Sequence, residues 1–257
     1  MTAIRVTVAG VQGSAPREEG AAMLVRADGI EGTIGGGALE WEAMRLARQM
    51  LADGADYAER RMPLGPALGQ CCGGAVVLRL EAADALERPR GAELWVWGAG
   101  HVGRAIVATM APLPHVSITW ADTGPARFPA GVPDGVETVA AADLPRLMAH
   151  APVHAHHLIL TYSHEIDLAL CHAALGRGFA GCGLIGSATK WARFCKRLAA
   201  LGHADAEISR IDCPIGDPAL GKHPQAIAVG VAGRLLKEHL HKESAGKPVD
   251  RGKATRT

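Results

Sequence analysis

Apolar and polar positions change their rhythm about a third of the way along the chain. In the first third, short β-branched runs are separated by turn formers. IRVTVAGV predicts a strand and the following GSAPREEG a loop. In AAMLVRADGIEGTI two apolar runs flank Asp28-Gly29, which predicts a hairpin turning on that pair, since both residues tolerate positive φ. Gly35, Gly36 and Gly37 are expected to end its second strand. From Ala38 to Asp53, Leu39, Ala43, Leu46 and Met50 recur at helical spacing, with Glu40 and Glu42 near the positive end of the macrodipole. The loop PLGPALGQCCGG separates this helix from a further strand, AVVLRLE, at 75–81.

The later part alternates. LWVW at 94–97 leads into GAGHVG and a helix, VGRAIVATMA, and HVSITWAD then ends a second strand at Asp122. The βαβ pattern continues through HLILT, a helix over about 165–175, CGLIG, the helix SATKWARFCKRLAAL and a last amphipathic stretch, QAIAVGVAGRLLKEHL. Such alternation predicts a largely parallel sheet with helices on both faces. The expected fold class is α/β: an N-terminal mixed α+β domain (1–81), a charged linker (82–93), a Rossmann-like doubly wound parallel-sheet domain (94–241) and a polar, disordered tail (242–257).

Composition narrows the function classes. With 27 Lys and Arg against 26 Asp and Glu, the 257 residues carry a formal charge of +1, so no global field draws nucleic acid or an anionic membrane. A hydrophobic content of 48% with 21% charged residues is that of a folded chain. No apolar run reaches the roughly 18 residues of a membrane-spanning helix. The start, MTAIRV, does not read as a secretion signal, so the six cysteines are expected to be reduced thiols in the cytoplasm.

Glycine is in excess, at 32 residues, and its clusters coincide with the candidate chemistry. Gly98-x-Gly100-x-x-Gly103 follows a strand, opens a helix and precedes Asp122 by about the 20 residues expected of a ribose-binding carboxylate. Backbone amides at such a helix start suit a phosphate. The run Gly35 to Gly37 reads as a second ligand-facing loop rather than a plain tight turn, because three glycines cost more chain entropy than a turn needs. Gln70-Cys71-Cys72 sits in a glycine-flanked loop. Structural zinc usually draws on C-x(2–4)-C pairs, so these adjacent thiols point instead to a soft, sulfur-rich ligand or a metal held elsewhere. His101 and His164 fall at strand C-termini, where open α/β sheets bind ligands, and Asp167 shares that edge. His154, His156 and His157 read as a solvated loop cluster, and Cys171, Cys182 and Cys195 as core. No G-x-S-x-G, H-E-x-x-H or Walker-type motif is present. On the residues alone, an NAD(P)-dependent oxidoreductase using GAGHVG and Asp122 stays open, with His101 or His164 as acid or base, as does a scaffold whose Rossmann unit binds nothing.

The motifs GSAPREEGA, GTIGGGALE, GQCCGG, WGAGHVG, TYSHEID and IGSATK occur in one order along nearly the whole chain, and together they resemble the XdhC family of xanthine dehydrogenase accessory proteins. That resemblance implies a carrier of the molybdenum cofactor (molybdopterin). Such a carrier would shield the pterin, let a cysteine desulfurase install its terminal sulfido ligand, and deliver it to the molybdenum-binding subunit of xanthine dehydrogenase, working as a homodimer. Under this reading Gln70, Cys71 and Cys72 lie near the molybdenum end, with Gly35 to Gly37 or Gly98 to Gly103 near the phosphate. His101, Asp122 and His164 complete the candidate cofactor-binding set.

Overall fold

The computed structural model describes residues 2–65, 73–86, 92–113 and 116–237. The chain divides into two compact units, Met1–Glu87 and Arg88–Thr257. The fold class is α/β: one unit has an antiparallel sheet, the other a parallel Rossmann-like sheet.

In the first unit, strands β1 (Ile4–Gln12), β2 (Ala22–Val25), β3 (Ile30–Gly32), β4 (Tyr57–Pro63) and β5 (Ala75–Ala82) form one sheet in the order β3-β2-β1-β5-β4. Every pairing is antiparallel. Ile4, Val6 and Val8 alternate along β1 into the core, as the pleat requires, and meet Leu39, Ala43, Ala47 and Met50 of helix α1 (Gly37–Asp53). The expected helix and its apolar stripe are therefore present.

Three local expectations need correction. The β2–β3 hairpin exists, but Arg26 N–H donates to the Gly29 carbonyl (2.9 Å), which puts Ala27 and Asp28 at the tip. Neither Asp28 nor Gly29 has positive φ, so the conformational freedom of that pair is not used. The strand ends at Gly32, and Gly37 already belongs to α1. Between the helix and the expected loop, whose first residue Pro63 it takes in, the chain adds β4, a strand the sequence pattern leaves unassigned because its polar, largely exposed sequence YAERRMP hides the alternation of a core strand. Charge on an edge strand is a usual device against edge-to-edge pairing.

The second unit contains six parallel strands: β6 (Ala92–Trp97), β7 (Val116–Asp122), β8 (Val136–Ala140), β9 (His156–Ile159), β10 (Gly181–Leu184) and β11 (Ile211–Asp212). Their order, β11-β10-β9-β6-β7-β8, is that of the Rossmann sheet, with the direction of winding reversing between β6 and β9. One face carries Trp95, Trp97, Ile159 and Leu184 under helices α3 (Leu144–Leu147), α4 (His164–Arg177) and α5 (Ala188–Ala200). The other carries Leu94, Val96, Ile118, Trp120 and Leu158 under α2 (His101–Met110) and α7 (Pro224–Leu235). Burial on both faces is why β6 reads as a continuous apolar run. The short pieces β8, α3, α6 (Asp205–Ile208) and β11 carry too few residues to show a period and are absent from the sequence expectation.

The histidine cluster needs a further correction. His156 and His157 are buried in β9. Trp97 Nε1 donates to His157 Nδ1 (3.2 Å), and burial, helped by neighbouring His156, pushes the His157 pKa down to about 4, so the ring is neutral. Cys171 and Cys182 are core as expected, and Cys195 packs against the same cluster while partly exposed. Burial raises all three thiols.

Candidate functional site

The winding reverses between β6 and β9, and the carboxyl ends of strands at such a switch point are the usual ligand position in open α/β sheets. Two turns meet there: Gly98 to Gly103 after β6, and Thr161 to His164 after β9.

The first turn is secured at its base. Gly98 N–H donates to the Ala121 carbonyl (2.8 Å), and Trp120 Nε1 donates to the Gly98 carbonyl (3.0 Å). Ala99 N–H donates to Asp122 Oδ2 (2.6 Å), and Arg104 Nε to the Ala99 carbonyl (3.0 Å). Two glycines answer to close approach. A Cβ on Gly98, which has φ of +121°, would run into the Leu160 carbonyl, and one on Gly103 into the Gly98 carbonyl. Gly100 is different. Its backbone is extended (φ −73°, ψ −175°), and a Cβ there would meet no protein atom within 4 Å. No side chain caps α2. The first-turn amides of His101, Val102 and Gly103 cannot find partners inside their own helix.

Asp122 is fully buried, and its other oxygen accepts from Thr123 N–H (2.6 Å), Thr123 Oγ1 (3.1 Å) and Arg127 Nε (3.3 Å). Its carboxylate builds the turn and offers no surface to a ribose. The second turn is equally determined. Asp167, also buried, accepts from Thr161 N–H (2.9 Å) and Thr161 Oγ1 (2.7 Å), and pairs with Lys190 Nζ (2.7 Å). Ser163 Oγ caps α4 by accepting from Glu165 N–H (3.2 Å). His101 and His164 open their helices and are exposed, so the structure brings both to this edge. On the same edge, beyond β10, a mostly apolar cleft of about 430 Å³ runs past Ser187, Pro214 and Lys222.

The glycine run of the first unit makes a contrasting turn. Glu40 Oε2 accepts from Gly36 N–H (2.9 Å), Ile34 N–H (3.2 Å) and Thr33 Oγ1 (2.7 Å). The cradle already holds a carboxylate, the chain's own. Gly35 is needed for contact: a Cβ there would meet Pro16 Cβ at 2.5 Å. Ser14 pairs with Gly73, so the GSAPR and GTIGGG turns and the residue following Cys72 in sequence are tied at one end of the sheet. Gln70, Cys71 and Cys72 themselves lie outside the described residues, as does the expected tail. Among the described residues no group of three or more His, Cys, Asp or Glu is arranged to hold a metal ion, and no helix is long and apolar enough to cross a membrane.

Sequence reasoning missed Glu40 as the occupant of its own turn, Arg127 as the partner of Asp122, and Lys190 as the partner of Asp167. Lys190 and Glu40 had visible signals, their places in the motifs IGSATK and GTIGGGALE.

Comparison with known proteins agrees with this architecture. The XdhC Rossmann domain model matches residues 94–235, and the XdhC and CoxI family model residues 2–60. The protein named "Uncharacterized protein YqeB" of Escherichia coli is 30% identical over 231 residues. That alignment takes in 88% of this chain and 41% of YqeB, so the chain spans about two fifths of that relative's length. A crystal structure from Bacillus halodurans described as a xanthine dehydrogenase superposes with a TM-score of 0.74 at 17% identity, covering 96% of this chain and 94% of the other, a likeness of fold. By the two family models, which between them match most of its length, the chain belongs to the XdhC family.

Proposed function

We propose that the protein is a maturation factor for xanthine dehydrogenase that carries the molybdenum cofactor. It binds the pterin compound, shields it, supports its sulfuration by a cysteine desulfurase and hands it to the molybdenum-binding subunit, working as a homodimer. Family membership supports the class of task, and the description of the Bacillus halodurans relative supports the client.

The observation that carries the reading is the open turn at the switch point, where Gly100 faces empty space ahead of an uncapped helix. As cargo, the cofactor brings an anionic phosphate ester and a molybdenum held by dithiolene sulfur. The amides of His101, Val102 and Gly103 suit the phosphate, through unpaired donors and the helix dipole together. The thiols of Cys71 and Cys72 are soft donors, the type suited to a metal–sulfur centre. A carrier also requires no proton-moving machine, and the buried acids of this edge, Asp122 and Asp167, are committed to holding turns. That commitment of Asp122 weighs against an NAD(P)-dependent oxidoreductase, which would need it for ribose.

The test is anaerobic equilibrium binding of molybdenum cofactor to the wild type and to the Cys71→Ala/Cys72→Ala variant, with NADH and NADPH as parallel ligands. The wild type should retain and allow sulfuration of the cofactor, and the double variant should lose both. Unchanged retention and sulfuration in the variant would remove the thiols from the site. Tight NAD(P)H binding with turnover of a hydroxy or oxo substrate would replace the carrier by an oxidoreductase.

A further inference from the structure

Two exposed side chains at this sheet edge are held more firmly than a surface position requires. Arg127 ends a short 3-10 turn, Pro125–Arg127. Its carbonyl accepts from the Arg104 guanidinium (2.8 Å), the next residue, Phe128, packs edge-on against Trp120 (5.3 Å between centroids), and its own Nε is bound by buried Asp122. Tyr162 lies between Thr161, tied twice to Asp167, and Ser163, whose N–H donates to Thr161 Oγ1 (3.2 Å) while its hydroxyl caps α4. These anchors bring the Arg127 guanidinium over the Tyr162 ring, 4.5 Å from its centroid. Such a separation is within the range of a cation–π contact. Even so, Tyr162 remains 62% exposed and the Arg127 side chain 41%. One face of the ring is backed by a cation, and the other is open. The glycine turn adjoins this pair: a Cβ on Gly98 would come within 3.0 Å of Thr161 Cα, the residue before Tyr162.

An aromatic ring fixed on over-determined turns binds a flat partner at low entropic cost. We propose that Tyr162, backed by Arg127, is the stacking platform for the planar pterin of the ligand whose phosphate lies on the glycine turn. This rests on the carrier reading above. Stacking on an aromatic face tolerates any flat heterocycle, so the nicotinamide or adenine of a dinucleotide is the competing source of the same chemistry. Arg127 acts on the ligand through the ring it backs and is a positioning residue.

The experiment uses the full chain under anaerobic conditions. Wild type, Tyr162→Ala and Tyr162→Phe are titrated with molybdenum cofactor released from a molybdoenzyme, with pterin-6-carboxylate and with NADH, and thermal melting is followed in parallel. Tyr162→Ala should melt like the wild type and bind both pterins about tenfold more weakly, whereas Tyr162→Phe should stay within about threefold. Wild-type affinity in Tyr162→Ala would sink the platform and leave the carrier reading standing, while a wild type that binds no cofactor would sink both. Equal weakening in the Phe and Ala variants would show that the hydroxyl, not the ring face, makes the contact, and would overturn stacking. A loss confined to NADH would assign the ring to a dinucleotide, overturning the pterin.

Discussion

The two glycine-rich strand-to-helix turns of this protein look alike in sequence and differ in what occupies them. Before α1, the amides of Ile34 and Gly36 converge on Glu40, a residue of the same helix, so the positive end of the dipole is neutralised from within. Before α2, the nearest acid, Asp122, takes only the Ala99 amide at the base of the turn, and the helix start beyond Gly100 carries no cap. An acid in the first turn of the following helix makes the difference. With one in reach, the loop closes on itself; without one, it keeps its donors for something else. Glycine content alone therefore does not identify an anion site.

The contrast can be broken at three points, from the largest expected effect to the smallest. Gly103→Val forces a side chain into the Gly98 carbonyl and should cost about 3 kcal/mol or more in urea unfolding, as overpacking against backbone does. A value below about 1 kcal/mol would mean that the turn has room to move apart. Glu40→Ala removes a carboxylate with three donors and should cost about 1–2 kcal/mol. It should also make the first unit newly responsive to phosphate, seen as a rise in melting temperature absent from the wild type. Without that response, the emptied cradle is not an anion site. Gly100→Ala should change stability by less than about 0.5 kcal/mol, since the position is open and its backbone extended. The same substitution should still weaken cofactor binding, because the methyl stands where the phosphate would approach. A stable variant with unaltered affinity would move the phosphate elsewhere.

Much of this fold is legible in the residues. The stripe Leu39, Ala43, Met50 and the alternation of apolar strands with helices from Leu94 onward announce two units of different grammar, and GAGHVG in its strand-to-helix setting announces the Rossmann turn. What escaped has a physical cause in each instance. β4 carries charge because it is an edge, so it shows no period. His156 and His157 are polar residues accepted into a buried strand, where Trp97 Nε1 satisfies one ring nitrogen of His157, a partner sixty residues away. The hairpin tip moved by one residue because pairing of Val25 with Ile30 decides the register, and the preference of Asp28-Gly29 for positive φ does not.

Local patterning therefore determined the longer elements, their order and the places where backbone donors start out bare, because periodicity, glycine and helix starts act over a few residues. Tertiary structure decided which donors stay bare. Only folding brings Asp122 under Ala99, Asp167 to Lys190 and the Arg127 guanidinium onto Tyr162. The energy of a buried carboxylate depends on the partners that surround it in space, and their distance along the chain does not enter.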